Sequence, residues 1–138
     1  MANTKYVALD FDGTLVTHEF PNIGTPVPFA KAGIDYLVSQ GVEIILYTMR
    51  SGEYLNEALQ YCADNGIRIH HANFNPTQSK WTNSPKVYAH WYIDDSSMGG
   101  PMRYDVESES YVVDWQTLLT LMKTDDIVRS KLGLSLSF

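Results

Sequence analysis

Asp10-Phe11-Asp12-Gly13-Thr14 sets two carboxylates two residues apart, with a glycine that lets the backbone turn sharply after them. Two neighbouring acids can divide nucleophile and acid/base duties only if something holds one ionised beside the other. A divalent cation does that. Mg²⁺ takes oxygen ligands, commonly one or two carboxylates completed by water and substrate phosphate. A second acidic pair, Asp94-Asp95, would supply the opposite side of such a site.

These acids need elements to bring them together. Lys5 to Asp10 is a short apolar run ending in an acid, a pattern that predicts a buried strand. Ala30, Ile34, Leu37 and Val38 then recur at helical spacing, with Gly41 where a helix would stop. Val42 to Thr48 predicts a second strand. Ser51 can cap a helix whose Leu55, Ala58, Leu59 and Cys62 share one face, ended by Gly66. Ile67 to Ala72 predicts a short third strand, residues 73–86 a long polar loop, and Val87 to Asp94 a fourth strand. Residues 102–113 fit either a small hairpin or an irregular excursion ending in a strand at Tyr111 to Val113. Asp114 can cap a last helix bearing Trp115, Leu118, Leu119 and Met122. This alternation predicts an α/β domain over residues 1–124: a three-layer, Rossmann-like parallel sheet with helices on both faces. Residues 125–138 are left as a C-terminal tail. Such sheets bind ligands at the carboxyl ends of their strands, where Asp10, Thr48, Asp94 and Asp95 all fall.

The motifs resemble those of the haloacid-dehalogenase-like phosphohydrolase superfamily. DFDGTL at 10–15 is similar to its first motif, Thr48 after IILY to its second, Lys86 to its third and IDD at 93–95 to its fourth. The resemblance implies a Mg²⁺-dependent phosphomonoester hydrolase. Asp10 would attack phosphorus to form an aspartyl-phosphate, and Asp12 would protonate the leaving oxygen and later activate water. Asp10, the Asp12 carbonyl and Asp94 would hold Mg²⁺, with Asp95 as an additional or outer partner. Thr48 would bind a phosphoryl oxygen, and Lys86 would neutralise phosphoryl charge. Lys80 lies on the same loop and is the alternative lysine. Arg50, directly after the second motif, is a candidate for substrate binding, and His18 lies in the loop where the superfamily has a flap.

The connections at 15–27 and 73–85 are too short to fold alone. The resemblance then implies a member without a cap domain, its site open to large phosphorylated molecules or covered by a neighbouring subunit of a homo-oligomer.

The 138 residues fit one domain, and the net charge of −6 argues against strong nucleic-acid binding. That ranks nucleotides and other small phosphorylated metabolites above nucleic-acid ends as substrates. A non-catalytic phosphate- or Mg²⁺-binding module on the same fold is the alternative. The single Cys62 cannot form an internal disulfide, and no apolar run reaches the roughly 18 residues of a membrane span. The N-terminal stretch has none of the features of a secretory signal, so a soluble, cytoplasmic protein is expected. His70-His71 points to opposite faces of a strand and is read as structural. His90 and Cys62 are read as packing residues. Tyr47, Phe74, Trp81 and Trp91 could stack on a base or pack, and only Trp81 sits in an evidently polar loop.

Overall fold

A computed structural model describes residues 3–136. Its centre is a parallel sheet of β1 (Tyr6–Leu9), β2 (Glu43–Leu46), β3 (His71–Ala72) and β4 (Trp91–Ile93), in the spatial order β3-β2-β1-β4. Leu9 is in register with Leu46 on one side and Ile93 on the other. The helices α1 (Ala30–Ser39) and α2 (Gly52–Asp64) connect β1 to β2 and β2 to β3. A hairpin of β5 (Met102–Asp105) and β6 (Ser110–Val113) stands apart from the sheet, followed by α3 (Trp115–Thr124) and α4 (Asp126–Lys131).

The pleat sorts side chains to two faces. Val7, Leu9, Ile44 and Leu46 enter the main core with Ala30, Ile34 and Leu37 of α1, Ala58 and Cys62 of α2, and Trp115 and Met122 of α3. Tyr6, Ala8 and Ile45 face the other way and form a smaller cluster with Val87 and Ala89. The expectation of helices on both faces is therefore corrected: among the described residues the α-helices lie on one face. The reason is directional. Steps from β1 to β2 to β3 run the same way across the sheet, so right-handed crossovers put α1 and α2 on one side. The return from β3 to β4 runs the opposite way and reaches the second face, where residues 75–90 carry only a 3₁₀ turn at Gln78–Lys80.

That segment is held by side chains. The Gln78 amide donates to the Ser84 and Lys86 carbonyls and accepts from the Tyr88 N–H, and Asn75 donates to the Tyr88 carbonyl. Two histidines also make β3 and β4 shorter than the expected strands at 67–72 and 87–94. His70 Nδ1 accepts the Ile44 N–H at 2.9 Å, and His90 Nδ1 accepts the Tyr6 N–H at 3.0 Å. Each ring takes a donor that a longer strand would have met with a carbonyl.

The hairpin at 102–113 is the first of the two alternatives. Asp114 caps α3 by accepting from the Thr117 N–H. The segment left as a tail forms α4, capped by Asp125, and Leu132 is buried in the main core; residues 137–138 of that tail lie outside the described residues. Trp115 Nε1 donates to the Thr14 carbonyl at 2.8 Å, and the Val113 N–H donates to the Gly13 carbonyl at 3.1 Å. Both contacts anchor the turn that follows β1. No described helix is long and apolar enough to cross a membrane.

Candidate metal and phosphate site

β1 and β4 are neighbours at the point where the chain reverses its direction across the sheet, which is where open α/β sheets form a ligand crevice. The residues leaving their carboxyl ends are Asp10 and Asp94-Asp95. One carboxylate oxygen from each of the three lies within 4.8 Å of the others. The Asp10 N–H donates to the Ile93 carbonyl at 3.0 Å, so backbone pairing continues up to the cluster. The buried Thr14 hydroxyl donates to Asp10 Oδ2 at 3.2 Å.

Crowding shows in the protonation of the group. Burial, then the hydrogen bond with Asp95 and the charges of Asp94 and Asp95, push the Asp10 carboxyl up to about 8. Asp94 is also raised, by burial first and then by Asp95, although the Ser96 N–H opposes this. Burial pushes Asp95 up too, but hydrogen bonds from His18 and Asp10 outweigh it and hold Asp95 below its ordinary value. Three carboxylates in so small a space form an all-oxygen donor set that fits a hard cation. The cluster could hold a metal ion.

His18 Nε2 lies 2.6 Å from Asp95 Oδ2. It is the side chain at the cluster to which the sequence assigned least, because its partner is 77 residues away. Gly13 makes the approach possible. Its φ is +85°, and a Cβ there would overlap both the His18 ring and the Asp95 carboxyl.

Asp12 points elsewhere. Its two oxygens accept from Arg50 Nε and Nη2, each at 2.8 Å, a bidentate pair. The remaining Arg50 donors go to the Asn22, Pro21 and Tyr54 carbonyls at 2.9, 3.2 and 3.4 Å. A guanidinium has five N–H donors, and all five are used. Arg50 is 2% exposed, with the Phe11 and Phe20 rings each 5.0 Å away. The hydrogen bond to Asp12 raises Arg50 above its already high ordinary value. Its expected role in binding substrate is therefore corrected: Arg50 holds Asp12 and ties the loop after β1 to the start of α2.

Thr48, two residues past β2, donates its N–H to Asn73 Oδ1, and its hydroxyl accepts from the Arg50 N–H at 3.1 Å. The hydroxyl proton is left to donate. Thr48, Arg50 and Asp12 thus form one chain of contacts beside the acidic cluster.

Lys86 is not brought to the cluster. It is exposed on the second face, its ammonium 5.7 Å from the Tyr92 ring, and among the described residues it makes no ion pair. The Gln78 bond to its carbonyl, 2.6 Å, draws this stretch of chain across the sheet before it reaches the carboxyl edge. Lys80, at the end of the 3₁₀ turn, is likewise exposed and makes no ion pair with the cluster. The other histidines weighed from the sequence, and the cysteine, have structural surroundings. His71 Nε2 bonds Glu43 at 2.7 Å, His70 and His90 receive backbone donors, and burial pushes the Cys62 thiol up to about 12.

No protein-family model matches the chain, and no curated protein is found to match it. The fold is similar to the solved structure of a conserved protein from Bacteroides thetaiotaomicron, with a TM-score of 0.72 and 32% sequence identity. The match covers 88% of this chain and 91% of that one. At that identity over nearly the full length of both, the chain belongs to the same family as this conserved protein of Bacteroides thetaiotaomicron.

Proposed function

We propose that the chain is a Mg²⁺-dependent phosphomonoester hydrolase working through an aspartyl-phosphate on Asp10, as its resemblance to the haloacid-dehalogenase-like phosphohydrolases implies. One observation carries the reading: Asp10 meets Asp94 and Asp95 at the sheet's switch point, and their mutual repulsion is relieved when a cation joins them. Mg²⁺ held by these carboxylates would stabilise negative charge on the phosphoryl group.

An Asp10 oxygen attacks phosphorus, the bond to the leaving oxygen breaks, and Asp12 gives that oxygen its proton. Water then attacks the phosphorus of the acyl phosphate and gives a proton to Asp12. The Asp10–phosphorus bond breaks, inorganic phosphate leaves, and both acids return to their starting states. Arg50 orients Asp12 in the resting state. The Thr48 hydroxyl has its proton available for a phosphoryl oxygen. His18, rather than Lys86, is the basic side chain in contact with the cluster.

A binding module without turnover is the second reading, and a specific observation favours it: Asp12 is clamped and, among the described residues, no lysine pairs with the clustered acids. Phosphate release separates the two. With Mg²⁺, the protein should release phosphate from monoesters, chelation should stop it, and Asp10→Asn should abolish it while preserving the fold, because the amide is nearly isosteric but a poor nucleophile. Comparable turnover in Asp10→Asn would overturn the hydrolase mechanism. No release from a broad panel by the unaltered chain would favour the binding module.

A further inference from the structure

The surroundings of the cluster specify what the phosphate is attached to; this inference rests on the phosphate-ester reading above. The loops leaving β1, β2 and β4, residues 10–29, 47–51 and 94–101, contain one Lys or Arg between them, Arg50. Its donors are all spent on Asp12 and backbone carbonyls. The same loops carry Glu19 exposed as well as the site acids, and Glu53 is exposed in the first turn of α2. A second phosphate on the substrate would find there only His18, already bonded to Asp95, and would meet repulsion from the acids.

What the site offers instead is apolar. Phe20, Met49 and Tyr54 are 56%, 101% and 46% exposed. Phe20 and Tyr54 are tied to Arg50, and Met49 precedes it in the chain. Phe20 lies on the guanidinium, Met49 stands between Thr48 and Arg50, and the Tyr54 carbonyl accepts from Arg50. The Phe20 and Tyr54 rings meet edge to face at 5.3 Å. Because Arg50 also grips Asp12, the Phe20 ring and the Tyr54 backbone are held in place relative to that acid, with the Met49 side chain free beside them.

We infer that the shelf of Phe20, Met49 and Tyr54 receives the body of the substrate, and that the substrate is a single phosphate carried on an uncharged aromatic group. A flat ring would cover side chains that are otherwise left to water, and it adds no charge for the site to neutralise.

Phosphonates test this without turnover. Calorimetry with Mg²⁺ should show benzylphosphonate binding at least about tenfold more tightly than methylphosphonate. Met49→Ser should shrink that ratio, and Phe20→Ser should shrink it further. Met49 is the safer variant because its side chain is fully exposed, whereas Phe20 packs on Arg50. In turnover, benzyl phosphate should exceed glycerol 3-phosphate in kcat/KM through KM, since both release an aliphatic alcohol. Free phosphotyrosine and a phosphotyrosyl peptide distinguish a small molecule from a protein side chain as the source of the aryl phosphate, by which has the lower KM. A ratio near one in the phosphonate pair, an unchanged ratio in Met49→Ser, or tighter binding of a nucleoside diphosphate would overturn the shelf. None of those results touches the hydrolase reading, which stands or falls with phosphate release and Asp10→Asn.

Discussion

Asp10 and Asp12 are two residues apart in sequence yet occupy opposite electrostatic settings. Asp10 faces Asp94 and Asp95 and is pushed up to about 8, while Asp12 faces a buried guanidinium that meets both its oxygens. One acid belongs to a set that could hold a cation from solution, and the other has a guanidinium built into the fold. The difference teaches that a paired-acid motif does not define a single environment. What surrounds each carboxylate is set by segments far away in the chain.

The comparison breaks most severely at Arg50. Arg50→Ala leaves the Asp12 carboxylate partly buried without its partner, and removal of one member of a buried pair costs about 3–5 kcal/mol. Urea unfolding should read that loss, and a cost below about 1 kcal/mol would mean that the clamp contributes little. The Asp10 side is tested by pH. Burial and the neighbouring acids push the Asp10 carboxyl up to about 8 in the folded, metal-free protein, against its ordinary 3.8 when unfolded. Between those values the folded state carries the extra proton, so metal-free stability should fall as pH rises from about 4 to about 8 and then level off. Because Mg²⁺ displaces that proton, its affinity should weaken by up to about tenfold for each pH unit below 8. Titrations of Mg²⁺ binding at pH 6, 7, 8 and 9 measure this, and a flat affinity would remove Asp10 from the ligand set. The smallest effect is expected at the rim of the cluster. His18 is largely open to water, so His18→Gln should cost less than about 1 kcal/mol of thermal stability, while the same exchange at a clamp residue would not be so mild.

The strand-end acids were legible because their signals are local. The β1 apolar run, the DFDG turn and the IDD end of β4 each announce themselves within a few residues, and the alternating pattern around them predicts a parallel sheet that delivers them to one edge. The capped start of α3 was legible for the same reason. The clamp was not. Arg50 finds Asp12 across 38 residues and His18 finds Asp95 across 77, and no spacing rule connects such pairs. Lys86 misled because it stands eight positions before Asp94, a short distance along the chain, whereas Gln78 and Asn75 route that stretch over the second face. The helices on both faces were over-read, since alternation predicts crossovers but not that the one returning to β4 would do so without an α-helix.

The amino-acid sequence by itself determined which residue types sit at the ends of the strands, and hence that oxygen ligands would converge on one edge of the sheet. Only the tertiary structure decided which of those acids cluster together and which is bound to a guanidinium. Side-chain pairing depends on where loops cross in space, and that is set by packing and hydrogen bonds between segments the chain keeps far apart.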